Sequence, residues 1–418
     1  MTSAGNFPDE GHIVIIGGGP GGTACALALH RLARETGRKI QITVIEGKHF
    51  TEEQHYNQCV GVLSPPLPLL LEEGLDVPFP HHLSRGIIKR YILHTEREQI
   101  TLNDDRHSTV LRRIQYDAYM METVKQRGIH ILPARAVDLE FHENHVVIYT
   151  ENIPLEADVV VGAFGLDEGS AAMFARQSSY RPPQTLDSIV TKYHPGPTSM
   201  EQFGPVIHAF LPAHPQIEFG WITPKDNHLT INIAGRVVDT SLMRKFISLP
   251  MVRQALPDID SAGIYNPRDL IFFKGRFPCS LAKNIFGDRY VIVGDAAGLV
   301  RAFKGKGINS AVKSGIRAAE TILQVGVTRN AFADHYWTAN QDIIQDLPYG
   351  RVIRSLTILL SQLHLLDPVL RAAPQNDQLQ IALFEAVSAY APYRRVLGRS
   401  LQPRTLWSIL RTLLKGTS

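Results

Sequence analysis

Cysteine is scarce in this chain, which has three in 418 residues: Cys25, Cys59 and Cys279. They are far apart and odd in number, so neither a disulfide framework nor the spacing of a zinc site is present. The 17 histidines are scattered and lack a matching set of acidic or thiol ligands. The sequence therefore predicts no metal site, and it is typical of a protein of the reducing cytoplasm.

Long apolar runs are also missing. Residues 67–71 form one of the longer runs, far short of the roughly 20 residues that a membrane-spanning helix needs. Residues 1–12 lack the basic and apolar regions of a secretory signal, so we expect none. Charged residues make up 20% of the chain and hydrophobic residues 44%, without a low-complexity tract. We expect an ordered cytoplasmic protein of two or three domains with no nucleic-acid partner.

A glycine-rich turn near the N-terminus is the clearest motif. Residues 13–16 are apolar and β-branched, which is typical of a buried parallel strand. Gly17, Gly19 and Gly22 follow in a G-x-G-x-x-G spacing, ahead of a segment with helical composition. This pattern allows a tight turn that brings a pyrophosphate close to a helix N-terminus. Glu46 ends the next predicted strand at roughly the 20-residue distance of a ribose-binding acid. The segment predicts a dinucleotide site; a purely structural turn is the alternative.

Two later segments add to this site. Gly294 and Asp295 stand between a predicted buried strand and a predicted helix that begins near Gly307. The acid could accept hydrogen bonds from a sugar-alcohol chain, and the helix N-terminus would favour a flavin ring or a phosphate. Arg113 and Asp117 lie at the start of another predicted helix. Asp295 could instead be a simple helix N-cap, and Arg113 could form only an ion pair.

With these motifs in this order, the chain resembles the FAD-dependent oxidoreductases of the aromatic-hydroxylase-like fold, and within them the geranylgeranyl reductase family. The resemblance rests on the glycine loop with Glu46, the Arg113 segment, residues 157–165 and residues 288–307, and it spans roughly the first 325 residues. It implies an α/β fold: a Rossmann-like FAD-binding domain with an inserted antiparallel β-sheet substrate domain and a helical C-terminal extension. The expected boundaries are 1–85, 105–171 and 276–345 for the FAD-binding domain, 86–104 for a hairpin of the substrate domain, 172–275 for the substrate domain and 346–418 for the extension.

The resemblance also implies roles for individual residues. The glycine loop and Glu46 would hold the ADP half of FAD, Val137 would meet the adenine, and Asp295 would bind the ribityl chain. NAD(P)H could supply the electrons. The expected cofactor-binding residues are Gly17, Gly19, Pro20, Gly22, Glu46, Arg113, Val137, Gly294, Asp295, Gly307, Ile308 and Asn309.

Two segments point to the geranylgeranyl reductases within the fold. Cys59 opens C-V-G-V-L-S-P, which is similar to that family's cysteine- and glycine-containing loop. Trp221 and Pro224 lie in F-G-W-I-T-P, which is similar to the family's Tyr-x-Trp-x-Phe-Pro motif over the flavin. Flavin halogenases have a comparable Trp-x-Trp-x-Ile-Pro motif, so this segment alone does not separate the two. We expect Cys59 to be a proton donor or a polar group beside the flavin and Trp221 to shape the cavity. An inert cysteine and a plain core tryptophan are the alternatives.

The chain departs from the family at two places. Phe164 occupies a position in Gly-Ala-Phe-Gly where the family has an acid, which weakens the expectation of direct NADPH use. Lys304 and Lys306 lie in a loop where the family usually has a proline and an acid. Both lysines would bring positive charge to the flavin, which favours an anionic reduced form or an acidic substrate.

The C-terminal tail is basic, with nine Arg and Lys against three Asp and Glu from Arg351 onward. Pro403 can open a helix with apolar residues on one face, basic residues on the other and Trp407 at the border. Such a helix could make peripheral contact with an anionic membrane, or its leucines could pack on the protein itself.

We therefore predict an FAD-dependent oxidoreductase that transfers hydride to a carbon–carbon double bond of a hydrophobic, isoprenoid-type small molecule. The competing class is a flavin monooxygenase or halogenase acting on an aromatic or carrier-bound substrate. A third is an electron-transfer flavoprotein without a substrate of its own. The oligomeric state does not follow from the sequence.

Overall fold

The first strand, β1 (His12–Ile16), forms where the apolar β-branched run predicts it, and its residues 13–16 are buried. The computed structural model describes residues 7–48, 50, 59–259, 270–301 and 307–415. The further strands are β2 (Gln41–Ile45), β3 (Val62–Leu63), β4 (Gly86–His94), β5 (Gln99–Val110), β6 (His130–Leu132), β7 (Ala136–Phe141), β8 (Val146–Thr150), β9 (Pro154–Ala157), β10 (Val159–Gly162), β11 (Thr185–Tyr193), β12 (Val206–Phe210), β13 (Phe219–Lys225), β14 (His228–Gly235), β15 (Phe272–Pro278), β16 (Phe286–Gly287) and β17 (Tyr290–Ile292).

Helices connect these strands and make up the C-terminal region. They are α1 (Pro20–Thr36), α2 (Leu67–Leu75), α3 (Arg113–Gln126), α4 (Glu168–Gln177), α5 (Pro197–Phe203), α6 (Thr240–Ser248), α7 (Pro250–Ala255), α8 (Ile308–Gln324), α9 (Arg329–Ala331), α10 (Gln341–Ile344), α11 (Leu347–Gln362), α12 (Leu366–Ala372), α13 (Asp377–Ser388), α14 (Tyr393–Ser400) and α15 (Pro403–Lys415).

The six-stranded sheet is parallel except for the antiparallel pair of β16 and β17. Its strand order is β16-β17-β10-β1-β2-β6, and β1 pairs in parallel with both β2 and β10. Helix α1 crosses from β1 to β2 and packs closely against α8. A Cβ atom on Gly315 of α8 would lie 2.4 Å from the carbonyl oxygen of Gly21 in α1, so glycine is needed at this crossing. The predicted Rossmann-like domain is confirmed.

The large sheet has the order β15-β11-β14-β13-β12-β4-β5-β3. Its neighbours pair antiparallel, except for the parallel pair of β12 and β4. Helices α6 and α7 cover one face with a hydrophobic cluster around Phe246. This is the predicted inserted antiparallel sheet. Strand β5 continues to Val110, so the boundary expected at residue 105 falls inside a strand.

A small sheet, β7-β8-β9, stands beside the parallel sheet. The pairing of β7 with β8 shifts between Ala136 and Asp138, so Val137 lies in a bulge, about half exposed. The bulge points this residue away from the ladder.

The C-terminal extension is helical, as predicted, and packs onto the large sheet. Arg354 of α11 donates two hydrogen bonds of 2.6 and 3.1 Å to Glu218, and the Thr95 hydroxyl donates to Asp367 at 2.5 Å. In the described residues no single helix is long and apolar enough to span a membrane. One pair bent by 103°, Gln341–Gln362 with Leu366–Gln375, meets the length and composition criteria together.

Candidate functional site

The glycine loop makes the tight turn that the sequence predicts. Gly17 has φ of 107°, and its N–H donates to the carbonyl of Ile45 at 2.9 Å. A Cβ on Gly22 would lie 1.9 Å from the carbonyl oxygen of Gly17, so a side chain there is excluded. Gly19 caps α1 without a side-chain acceptor, and Pro20 is its first residue. The N–H groups of the first helical turn are therefore available to an anion.

Glu46 follows β2 and holds its carboxylate against this loop. One carboxylate oxygen accepts from the N–H of Gly18 at 2.8 Å and the other from the N–H of Lys48 at 2.9 Å. These bonds fix the acid beside the glycine turn, where a ribose of a bound dinucleotide would lie.

Arg113 and Asp117 form an ion pair on the first turns of α3. The Nε–Oδ1 distance is 2.8 Å, and the side chains are 14% and 6% exposed. Burial raises the pKa of the Asp117 carboxyl, and the charge of Arg113 opposes that rise. The pairing that was one alternative for Arg113 exists, and both residues also line the cavity described below.

Asp295 lies on the turn after β17, in the short helical segment Gly294–Ala297. Its Oδ1 is buried and has no hydrogen-bond partner among the described residues. Burial raises the pKa of this carboxyl, and Arg113 opposes the shift. Helix α8 is capped by Gly307 and has no side-chain cap, so the N-cap alternative for Asp295 is not what the structure shows.

These residues meet in one cavity of about 690 Å³ between the carboxyl ends of the parallel strands and the large sheet. Its walls include most of the predicted site residues. They are Gly17, Gly19, Pro20, Glu46, Cys59, Arg113, Trp221, Gly294, Asp295, Gly307, Ile308 and Asn309. Gly22 lies directly behind the loop, where it allows the turn.

Cys59 faces the cavity as an exposed residue. Its sulfur accepts from the N–H of Gly61 at 3.4 Å, and its carbonyl accepts from the ammonium of Lys225 at 3.4 Å. The loop is also anchored from the other side, because the amide of Asn309 donates to the carbonyls of Ser64 and Pro65 at 3.1 and 3.2 Å. Asn309 therefore has a structural contact in addition to its position in the cavity wall.

Trp221 lies on β13, opposite Ala209 of β12 and Asn232 of β14. Its ring meets Phe219 edge-to-face, with 6.3 Å between centroids. It is partly buried, lines the cavity and also packs against a hydrophobic core cluster, so its role in shaping the cavity stays a prediction.

The structure does not bring Val137 to this cavity. Val137 lies in the β7 bulge and does not line it; Ala134 and Arg135, which pack against Gly47, are nearer to the loop after Glu46. The role of Val137 stays a prediction. Lys304 and Lys306 lie outside the described residues, so their predicted position beside the flavin stays untested.

Comparison with known proteins adds the family context. No model of a known protein family matches the chain. It is 23% identical over 335 residues to the chloroplastic geranylgeranyl diphosphate reductase of Nicotiana tabacum, covering 75% of this chain and 66% of that one. The chain thus spans about two thirds of the length of that relative.

The solved structures agree on the fold. A geranylgeranyl bacteriochlorophyll reductase-like protein of Thermoplasma acidophilum superposes with a TM-score of 0.67 at 16% identity, over 96% of this chain and 99% of that one. The flavin-dependent brominase Bmp2 gives a TM-score of 0.62 at 15% identity, over 91% and 94%. The chain is thus similar in sequence to geranylgeranyl diphosphate reductases and shares the fold of these flavin-dependent proteins.

The residues that line the cavity fit FAD by their own chemistry. Asp295 Oδ1 is buried and has no hydrogen-bond partner among the described residues. An unpaired buried carboxylate oxygen is costly, and a ribityl hydroxyl of bound FAD would donate the missing hydrogen bond. A Cβ at Gly19 would meet nothing within 4 Å, so the space above the loop is open. The glycine loop with Glu46 would hold the ADP half, and Asp295 the ribityl chain.

Phe164 fills the position where the reductase family has an acid. Its ring packs against Phe174 at 5.3 Å and edge-to-face on Tyr180 at 6.0 Å. Its Cα would lie 3.1 Å from a Cβ on Gly17. The ring thus packs in an aromatic cluster with Phe174 and Tyr180, the backbone of Phe164 lies beside Gly17, and the residue offers no carboxylate to a cofactor.

Sequence reasoning missed two polar residues at the β13–β14 end of the large sheet, Lys225 and His228. Lys225 is buried and holds the Cys59 carbonyl, and His228 lies opposite it across the β13–β14 turn. Burial lowers the pKa of Lys225 to about 8. A lysine four residues after the motif tryptophan was a readable signal, because alternation along a strand places residues 221, 223 and 225 on one face.

Proposed function

We propose that this protein reduces carbon–carbon double bonds of a hydrophobic, isoprenoid-type substrate. The observation that carries the proposal is the continuity of the cavity, which runs from the FAD loop to an aromatic wall on the large sheet. Phe219, Trp221, Phe273 and Phe277 contribute to that wall. Aromatic rings suit an apolar chain, and polar side chains such as Ser188 and Asn232 lie among them in the same wall.

FAD, when bound and reduced, supplies the hydride in this reaction. The chain itself binds and orients the apolar substrate against Trp221 and Phe219, and the packed sheet excludes water. Cys59 is the proposed source of the proton, from its Sγ, which lies at the cavity wall and is held by Gly61. Phe164 offers no carboxylate that could bind a nicotinamide cofactor. The electron donor is therefore proposed to be NAD(P)H bound without that carboxylate, or another reductant.

An anaerobic half-reaction tests the proposal. The flavin is reduced with dithionite, the excess is removed, and a polyprenyl probe such as geranylgeraniol or geranylgeranyl diphosphate is added without oxygen. We expect the oxidised flavin spectrum to return together with a product two mass units heavier per reduced double bond. Reoxidation that is equally slow with and without either probe would refute the proposal.

The competing proposal is a flavin monooxygenase or halogenase. The similar fold of a flavin-dependent brominase and the Trp221 segment favour it, but the fold is shared by both classes. Fast reoxidation in air, with a hydroxylated or halogenated aromatic product, would select this alternative over double-bond reduction.

We also propose peripheral contact between α15 and an anionic membrane. Leu406, Trp407, Leu410 and Leu414 are 48, 66, 46 and 66% exposed, while Ile409 packs toward the large-sheet cluster. The apolar residues of α15 therefore serve two contacts: Ile409 packs on the protein, and the four exposed residues are available to a membrane. Exposed Arg404 and Arg411 favour anionic lipid.

Vesicle sedimentation tests this contact. Phosphatidylglycerol vesicles should retain the protein better than phosphatidylcholine vesicles, and the double variant Trp407→Ser with Leu410→Ser should lose that retention. Val237→Ser, at another exposed apolar residue, is the control. Equal retention of the double variant and the unaltered chain would reject the membrane contact.

A further inference from the structure

A bulge in β5 brings two buried polar side chains to one hydroxyl of the C-terminal extension. The pairing of β4 with β5 shifts in register after Ile88, and residues 104–107 fall outside the ladder. Asp104 opens this bulge and Ser108 follows it. The Tyr390 hydroxyl donates to Asp104 Oδ2 at 2.7 Å, and its oxygen lies 2.7 Å from Ser108 Oγ. Bulges often re-aim side chains beside functional sites.

The contacts continue from Ser108 to the cavity that fits FAD. Ser108 Oγ lies 3.1 Å from Ser64 Oγ, and both serines are buried. Ser64 lines the cavity wall, and its carbonyl is held by Asn309 at 3.1 Å. In the contacts of Ser108 with Ser64 and with Tyr390, either oxygen can be the donor. The hydroxyls of Tyr390, Ser108 and Ser64 thus form a hydroxyl chain that leads from Asp104 to the cavity.

The far end of the hydroxyl chain meets a second, smaller cavity. This cavity of about 60 Å³ lies between α8 and the C-terminal extension, and Tyr390 lines it. Its wall also includes the exposed residues Pro66 and Asp342. A polar space of this size holds water. The hydroxyl chain therefore joins a water-sized cavity to the cavity that fits FAD.

Asp104 is a buried carboxylate, 1% exposed, and it forms no ion pair with a side chain in the described part of the chain. It accepts from the Tyr390 hydroxyl and, at 3.1 Å, from the backbone N–H of Arg106. The Arg106 guanidinium instead lies over the Tyr390 ring, 4.1 Å from its centroid. Buried carboxylates in purely structural roles are usually paired with a cation.

The Tyr390 phenol keeps its proton in this setting. Burial raises the pKa of Tyr390, and the Asp104 carboxylate adds to the rise. A neutral phenol between a carboxylate and a serine hydroxyl can accept a proton on one side while it gives one up on the other.

We propose that the hydroxyl chain is a proton path that serves the cavity that fits FAD. Reduction of FAD takes up two electrons and one proton. In one transfer, protonated Asp104 gives its proton to Tyr390, which passes its own proton to Ser108. Ser108 then protonates Ser64, and Ser64 gives its proton to the acceptor in the cavity.

The transfer balances along the path. Each hydroxyl that loses a proton gains one from its neighbour, so only Asp104 ends with one proton fewer. Water in the second cavity returns that proton through Tyr390. This inference goes beyond the proposed reduction of a double bond, and it needs only bound FAD.

Proton uptake during reduction of the FAD-loaded protein tests the path without a substrate. Reduced methyl viologen donates one electron and carries no proton, so two molecules of it and one proton from solution reduce one FAD. In a stopped-flow experiment with little buffer, flavin bleaching reports the electrons and a pH indicator reports the proton. The unaltered chain should take up both at the same rate.

Two variants break the hydroxyl chain at different places. Tyr390→Phe keeps the ring and removes the hydroxyl, and Ser108→Ala removes the next link. Each should slow proton uptake about 100-fold, the lower end of what a positioned proton donor contributes, and leave the initial bleaching unchanged. The flavin content reports folding, and the second variant serves if the first does not fold.

A matched control separates proton transfer from packing. Tyr393→Phe removes another buried hydroxyl from the wall of the second cavity, outside the hydroxyl chain, and should change neither rate. Proton uptake that keeps pace with bleaching in Tyr390→Phe and Ser108→Ala would overturn the proton path, and so would equally slow uptake in Tyr393→Phe. Slow uptake confined to the two chain variants would support it even if no polyprenyl probe reoxidises the reduced flavin. In that case the proposed reduction fails and the proton path stands.

Discussion

Replacing Asp295 by asparagine should move stability and cofactor affinity in opposite directions. In the FAD-free protein, the buried Oδ1 has no partner among the described residues, and such a group costs about 1–3 kcal/mol. Asparagine keeps the shape and removes the charge. We therefore expect the FAD-free variant to be more stable to urea than the unaltered chain. FAD binding should weaken about 10- to 100-fold, because a charge-assisted hydrogen bond becomes a neutral one.

The pH dependence gives this prediction a sign that a general loss of structure would not reproduce. Burial raises the folded-state pKa of Asp295 above its ordinary value. The folded state then binds more protons than the unfolded state between those two values, so this group's contribution to stability falls as pH rises through the folded pKa. The stability advantage of Asp295→Asn should grow over that range and then level off.

The assay compares urea unfolding of the FAD-free proteins at several pH values with FAD titrations of the same samples. Asp105→Asn removes one charge from an exposed strand position and serves as the control, with no change expected in either measurement. An Asp295→Asn protein that is less stable than the unaltered chain without FAD at all pH values would refute the reasoning. That result would mean that the Asp295 carboxylate has a stabilising hydrogen-bond partner or ion pair in the FAD-free protein.

Three further outcomes follow from the same site. Gly22→Ala should prevent FAD retention, since its Cβ would lie 1.9 Å from the carbonyl oxygen of Gly17; the flavin content of the purified protein measures this. Arg113→Ala should cost about 3–5 kcal/mol in chemical unfolding, because it leaves Asp117 buried and uncompensated; a smaller loss for Arg113→Ala with Asp117→Asn would show the coupling. Trp221→Ala should weaken the binding of geranylgeraniol while flavin content stays the same, and unchanged binding would remove Trp221 from the cavity role.

Much of the fold could be predicted because its signals are local. The run at residues 13–16 and the glycine spacing specify strand, turn and helix within a few residues of chain, and β1 and α1 form there. The end of β5 was harder: the alternation of buried and exposed residues is interrupted at the three exposed residues 105–107, yet the strand continues to Val110, whereas the predicted hairpin ended earlier. Helices α5 to α7 lie in a segment that was interpreted only as strands, although α6 places Leu242, Met243, Phe246 and Ile247 on one buried face.

The candidate site likewise contains residues that local motifs predict and residues whose position depends on tertiary structure. Asp295 and Arg113 could be predicted because each belongs to a short motif that follows a strand or begins a helix. The exposure of Val137 could not, since it depends on a bulge in the pairing of β7 with β8. The tail helix is an intermediate case: its amphipathic pattern is readable, but which leucines contact the protein depends on how α15 packs.

The cluster of polar side chains at the β13–β14 end of the large sheet depends on strand register. Lys192 and Lys225 are far apart in sequence, and they share a face only because Thr230 lies opposite Lys192 on one side and Thr223 on the other. A shift of one residue in either pairing would turn these side chains to the α6 face. Two proteins could therefore keep the glycine loop and the motif tryptophan and still differ in the charge that they present on this face. Short motifs thus specify the glycine loop locally, while the pairing of β11, β13 and β14 determines which polar side chains share one face of the large sheet.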